Sequence, residues 1–307
     1  MVKMRKYLLF LFLFSILGLC TACQSAEEET IETGTVHESS GDTERETETD
    51  ESARETEVQG PDYIFCTEKV FADVRKAGAV CCNLKVPVLT RNSKLQVDGY
   101  ELDGCENVTV ELSELEETAE DWRYAGYYYT ALPVRLELSE GECTIHELTL
   151  FVNGTAVKCE FPLGIHLEVC EGNTDFPWES GVTQVTIPQE LFETTNYFVA
   201  DKKLNLLDAE LYSNGVFETT LIHVWDEVGE TDWEEGEDFL IHKGSEAGFL
   251  FEFTGSEEYL SGPMTMYVCC GADDETYVMY DTTYKEAVST AEDVPGFVKA
   301  ILECLGD

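Results

Sequence analysis

Four of the five histidines, those outside the acidic stretch near the N-terminus, a large excess of carboxylates and a few groups of aromatic rings are the side chains here with chemistry to offer. His146, His166, His223 and His242 stand in TIHELTL, LGIHLEV, LIHVWDE and LIHKGSE. Each lies within or at the end of an apolar, strand-like run, a setting that suits a structural histidine better than a catalytic loop. Metal ligation by two of them would need strand pairing to bring them together. His146 carries the stronger structural reading, because hairpin pairing sets it opposite Phe161 on a core-facing side. The chain has no His-Glu-x-x-His helix, no Gly-x-Ser-x-Gly elbow and no phosphate-binding glycine loop. Glycoside hydrolysis needs two carboxyls about 5–9 Å apart across a sugar, and sequence spacing in a β-fold does not fix such a distance. No residue is singled out as catalytic, and no cofactor is implied.

Two weaker constellations concern binding. In DEVGETDWEEGED, residues 226–238, Asp226, Glu230, Asp232 and Glu234 are oxygen ligands of the kind calcium takes. Their spacing is not that of a loop wrapping one ion, so a solvated acidic loop is the plainer account. Tyr127 and Tyr129 crowd YAGYYYTA, while Trp178, Trp225 and Trp233 lie in or beside loop-like segments. Exposed rings of this kind stack on sugars or anchor peptides. Strand alternation sets Tyr128 on the face opposite Tyr127 and Tyr129, so part of the tyrosine cluster belongs to a core.

The formal net charge is -43, and residues 61–307 carry 49 acidic against 14 basic residues, a net -35. That balance opposes nucleic acid as a partner and a second, electrostatic attachment to anionic lipid. Ten cysteines fall in this body. An even number permits full pairing, which spacing alone cannot assign. The adjacent pairs in AVCCNL and YVCCGA sit on strand-like runs whose neighbours face opposite ways, unlike the Cys-x-x-Cys spacing of a zinc site.

The N-terminus is read from KYLLFLFLFSILGLCTACQSAEEET. Lys3, Arg5 and Lys6 precede an apolar run from Tyr7 to Leu19, shorter than the ~20 residues of a permanent span. The size and flanks suit an export signal. LCTAC resembles the lipobox of bacterial lipoproteins, with small residues Thr21 and Ala22 before Cys23; Cys20 departs from it, standing where Leu, Val or Ile is usual. The resemblance covers about the first 25 residues and implies cleavage after residue 22, a lipidated Cys23 and an extracytoplasmic position on the bacterial cell membrane. Two acyl chains suffice for stable anchoring. Residues 23–60 then form a tether: thirteen acids face two arginines, and too little apolar area is available to offset ordering the backbone.

Within the body, period-two patterning and turn signals predict an all-β or β-dominated fold. The reading is an antiparallel β-sandwich, or two small β-domains over 61–175 and 176–307, closed by a C-terminal helix. The spacing of HELTLFVNGTAVKCEF predicts a hairpin about Asn153-Gly154, pairing Leu150 with Val157 and Leu148 with Cys159. Further hairpin turns are expected at Asn214-Gly215, near Glu140-Gly141, at Asp98-Gly99, through Lys243 to Gly248 and through Gly271 to Glu275. Short helices are expected in TEKVFADVRKAG and SELEETAEDW. A longer one over 295–305 has Phe297, Ile301 and Leu305 on one stripe, with Val298 and Leu302 beside it.

The functional expectation is an anchored, non-catalytic recognition or envelope-support module, with extracellular glycan or protein as partner. An anchored glycan hydrolase using paired carboxylates is the alternative. For the anchor, labelled palmitate should enter the wild-type chain and be lost in Cys23→Ala, with intact mass placing the new terminus at Cys23. A soluble, unlipidated product cut at another bond would contradict the assignment.

Overall fold

The computed structural model describes residues 60–91, 95–118, 120–173, 175–177, 183–187, 192–255 and 259–306, with the backbone alone at 183–187, 192–196 and 306. The expected signal and all of the expected tether except Gly60 lie outside them. The described chain is β-dominated, with two clusters of sheets and a helix at the end. Among the described residues no helix is long and apolar enough to cross a membrane.

The first lobe is a sandwich. One sheet runs in the order β1 (Tyr63–Phe65), β3 (Val80–Thr90), β7 (Tyr127–Leu138) and β5 (Val108–Leu112), with β6 (Arg123–Tyr124) also on β7. Its partner runs β2 (Ala72–Ala77), β9 (Thr155–Cys170), β8 (Glu142–Val152) and β4 (Val97–Glu101). Alternation on β3 sends Cys82, Leu84 and Val86 inward, where they meet Leu132, Val134 and Leu136 of β7 and Leu148, Leu150 and Phe161 of the opposing sheet. Each such side chain contributes roughly 1.5–3 kcal/mol on burial. The pairings are antiparallel except that β2 runs parallel to β9.

The second lobe repeats the architecture. One sheet is β10 (Thr183–Ile187), β11 (Phe192–Val199), β16 (Glu246–Gly255), β13 (Phe217–Trp225) and β14 (Glu230–Asp232). The other is β15 (Phe239–Ile241), β12 (Leu204–Tyr212), β17 (Gly262–Ala272) and β18 (Glu275–Lys285). Phe249, Phe251 and Phe253, at every second position of β16, fill the space against Met264, Met266 and Val268 of β17. The helix α1 (Val294–Gly306) then returns to the first lobe. Val294, Phe297, Val298 and Ile301 bury against Leu89, Tyr127 and Tyr129. A Cβ at Gly296 would meet the Tyr259 hydroxyl, so a larger residue there would push that side chain aside. Leu305 falls off the expected stripe and is 57% exposed.

Two of the expected hairpins form, β8–β9 about Asn153-Gly154 and β17–β18 about Asp273-Asp274. Three other expected hairpin turns join strands of opposite sheets: Glu140-Gly141 links β7 to β8, Asn214-Gly215 links β12 to β13, and residues 242–245 link β15 to β16. Asn214 and Gly215 do take positive φ, but the Ser213 hydroxyl caps the turn through Phe217 and the chain crosses the sandwich. Asp98-Gly99 is a bulge within β4, not a turn. TEKVFADVRKAG is a 3-10 turn at Thr67–Lys69 followed by β2, because Phe71, Ala72 and Val74 are taken by cores. SELEETAEDW is not helical at its described positions.

The lobes meet where β2 crosses the outer side of β17. Asp73 is 2% exposed and accepts the Asn214 amide at 2.8 Å and Arg75 Nε at 2.8 Å. Thr265 Oγ1 donates to the Asp73 carbonyl at 2.9 Å and accepts the Arg75 amide at 3.0 Å. The Arg75 guanidinium lies 3.8 Å from the Tyr212 ring centroid. A parallel bridge joins Val70 to Ser261, and Gly262 sits so close under the Phe71 carbonyl that a Cβ there would overlap it. β17 is consequently buried on both faces over its first half.

Among the described residues, one disulfide joins Cys105, just before β5, to Cys143 on β8, and so clips the two sheets of the first lobe together. It closes a separation of 38 residues, for which loss of unfolded-state freedom is worth about 2–4 kcal/mol. Urea unfolding of a Cys105→Ser, Cys143→Ser chain should show that loss, and reductant should shift the wild-type midpoint toward it. Equal midpoints with and without reductant would mean that the bridge contributes nothing.

Candidate functional site

The outer face of β11, β16 and β13 is built from the residues that alternate with the phenylalanine core. Gly248 and Leu250 face outward from β16, Tyr197 from β11, and Leu221, His223 and Trp225 from β13. Trp225 and Tyr197 both pair with Gly248 in register, one from each side. A Cβ at Gly248 would collide with Trp225 Cζ2 and stand 2.7 Å from both flanking ring atoms, Cε2 and Cη2. The indole therefore lies across the glycine with one face toward the backbone, leaving the other face turned outward.

Two rings extend this floor. Tyr197 meets Trp225 edge-on at 5.4 Å between centroids, and His223 lies 5.8 Å away at 27° to the indole plane. His223 Nδ1 is 2.8 Å from Asp232 Oδ1 on the neighbouring β14, which fixes the imidazole on the face. Burial, and then the Glu246 carboxylate, raise the Tyr197 hydroxyl above its ordinary pKa, so the phenol stays a neutral hydrogen-bond donor. A partly exposed row of rings bordered by carboxylates has a polarisable surface for C–H groups and acceptors at its rim.

The other expected aromatic candidates do not join this row. Trp233 is 5% exposed, packs into the second core and donates Nε1 to the Glu237 carbonyl at 2.8 Å. Tyr127 is fully buried with its hydroxyl on the Pro61 carbonyl, and Tyr129 lies edge-on against Phe297 beneath α1. Trp178 and the lipidation candidate Cys23 lie outside the described residues. The returning helix, unreadable from the tyrosine run itself, is what covers Tyr127 and Tyr129.

The acidic loop is organised by an internal contact. Asp226 Oδ1 accepts the amides of Val228 at 2.8 Å and Gly229 at 2.9 Å, while Oδ2 accepts the His242 amide at 3.0 Å and lies 2.7 Å from His242 Nδ1. Its acceptor capacity is thus used within the fold. Glu230, Asp232 and Glu234 remain exposed, with Asp232 on His223. The four proposed calcium ligands are not gathered about one point: among the described residues, the group of three side chains within metal-binding reach is Glu142, His166 and Glu168. His146 is exposed and not on the core side, because a bulge between Ile145 and Glu147 takes it out of the hairpin register.

No family model matches this chain, and no curated protein does. Among solved structures, the YadV chaperone aligns over 73% of this chain and 100% of its own, with 5% identity and a TM-score of 0.21. A structure named BspA_C_mut aligns over 73% of this chain and 90% of its own, with 8% identity and a TM-score of 0.16. At those scores neither likeness carries an argument about fold or activity.

Asp226 makes a pH prediction. Burial raises its carboxyl pKa, but the His242 side chain and the amides of His242, Val228 and Gly229 outweigh burial and hold it below the ordinary value. A group depressed in the folded state stabilises above its unfolded pKa, about 4, and that stability is lost as pH falls through the folded value. Asp226→Asn should therefore cost about 1–3 kcal/mol at neutral pH, with the gap from wild type closing below about pH 4. A gap that is constant from pH 7 to pH 3 would show that the charge is not what the loop uses.

Proposed function

We propose that this chain is an extracytoplasmic recognition protein, held to the membrane through Cys23, that binds glycan on the outer face of β11, β16 and β13. The observation that carries this reading is the indole of Trp225 lying flat over Gly248 with Tyr197 and His223 beside it. Axial C–H groups of a pyranose are drawn to the negative face of such a ring, while its hydroxyls find acceptors among the bordering carboxylates. A flat sheet face suits an extended chain of sugars, since strands about 4.8 Å apart space side chains on the scale of one ring. The bound species is neutral or cationic, because a body of net charge -35 repels an acidic polymer. The acidic tether supports the same reading by separating a binding module from the lipid without requiring chemistry there.

The reading is tested with residues 54–307, which form one compact unit, on cell-wall and extracellular glycan fractions. Bound material is recovered by pull-down and the supernatant is analysed for products by mass spectrometry. Binding without turnover is expected, with Trp225→Ala weakening affinity at least tenfold, about 1.4 kcal/mol, at unchanged circular dichroism. Gly248→Val should do the same by lifting the indole. Reproducible cleavage lost on replacing a pair of acids would make the protein a hydrolase and overturn this reading. Binding that is indifferent to Trp225 would remove the ligand from this face.

A further inference from the structure

A second constellation lies on the first lobe, in an open cleft of about 610 Å³ lined in part by Cys105, Glu106, Glu142, Cys143, Thr144 and His166. Glu142 and Glu168 are direct cross-strand partners on β8 and β9, and Thr144 is the partner of His166. All four alternate with buried Ile145, Ile165 and Leu167, so they share the outward face. Like charges placed directly opposite on a sheet repel, and here the imidazole of His166 lies beside them on the same face.

The ligand atoms of Glu142, His166 and Glu168 lie within 4.8 Å of one another. His166 Nε2 is 3.5 Å from Glu168 Oε2. Two ligands of a tetrahedral ion with bonds of about 2.1 Å stand about 3.4 Å apart, so this edge is already set. Glu142 is exposed, with its carboxylate already within 4.8 Å of the other two ligand atoms. His166 Nδ1 lies 3.0 Å from Thr144 Oγ1. With Nδ1–H donating to that hydroxyl, Nε2 carries the lone pair and faces a carboxylate oxygen. In that tautomer Nε2 can take a metal ion; in the other it donates to Glu168 Oε2 instead. Outer contacts of this kind orient ligating histidines. Arg75 Nη1, 3.1 Å from Glu168 Oε2, fixes the carboxylate in the same way.

We infer that Glu142, His166 and Glu168 form a binding site for a divalent transition-metal ion. One imidazole and two carboxylates suit zinc or a chemically similar ion more than calcium, which takes oxygen ligands alone. Three protein ligands leave at least one position open to the cleft, for water or an oxygen of a bound molecule. The neighbouring disulfide holds Cys143, between Glu142 and Thr144, against the opposite sheet, so the strand carrying two of the four groups is anchored. This site is separate from the aromatic face, and neither proposal rests on the other.

The test uses the full chain in detergent, titrated with Zn²⁺ by calorimetry and with Co²⁺ by visible absorption. One ion per chain is expected. Glu142→Gln and His166→Ala should each weaken it at least tenfold, and Thr144→Val by about tenfold, as is typical of an orienting partner. Glu106→Gln, in the same cleft, should leave it unchanged. The Co²⁺ spectrum should show d–d bands of a four- or five-coordinate nitrogen–oxygen site without thiolate charge transfer. Glu142→Gln changes an exposed side chain, so circular dichroism should match wild type and a loss there reads as loss of a ligand. Absence of saturable binding, binding that survives both Glu142→Gln and His166→Ala, or a thiolate band from one of the free cysteines would each overturn the proposal.

Discussion

One buried carboxylate, Asp73, sits at the centre of the junction between the two lobes. Removing a carboxylate from water costs several kcal/mol unless partners replace the lost hydration, and here the partners come from both lobes. Arg75 on the same strand supplies two guanidinium contacts, and the amide of Asn214 reaches across from the second lobe. When the lobes dock, the Asn214 amide takes the place of water that Asp73 loses, while Arg75 stays paired with it on the same strand. Arg75, oriented by this pairing, covers Tyr212 of the second lobe and reaches Glu168 of the first. The Asn214 side chain adds a donor to the Leu163 carbonyl at 2.6 Å. The turn that sequence alone reads as a hairpin is in fact a docking element.

This arrangement divides the second lobe into two sides with different tasks. The sheet containing β17 and β18 turns toward the first lobe, and Thr265, fully buried, is spent on the Asp73 backbone. On the opposite sheet Tyr197, His223 and Trp225 stay partly exposed although their strands are anchored by a dense phenylalanine core. A rigid floor is what a stacking surface needs, because a ring already held in place loses little freedom when a ligand settles on it. The helix makes the reciprocal tie: it follows the second lobe in the chain and packs on the first.

The legible parts of this fold were the local ones. Asn153-Gly154 specifies a tight hairpin through its own backbone preferences, and the observed Leu150–Val157 and Leu148–Cys159 pairs follow from it. A turn between sheets uses the same residues as a turn within one, so Glu140-Gly141 and Asn214-Gly215 looked like hairpins; only packing decides which sheet the next strand joins. The aromatic floor is half visible, since Trp225 stands at the edge of a loop-like acidic segment. Its exposure depends on Gly248, which no local pattern ties to it. The metal-binding set was hidden by a register shift. Extending the Asn153-Gly154 hairpin would put Glu142 opposite Ile165, but the bulge around His146 and Pro162–Gly164 moves its partner by three residues, to Glu168. Positive φ at Gly164 is the one local signal of that shift.

The central claim, that both lobes unfold as one because Asp73 is satisfied from both sides, is tested most directly by scanning calorimetry of residues 54–307. The account predicts a single transition for the wild type, with calorimetric and van't Hoff enthalpies equal. Asp73→Ala should split it into two, each lobe melting on its own core. Two separate transitions already present in the wild type, or one unshifted transition in Asp73→Ala, would contradict it.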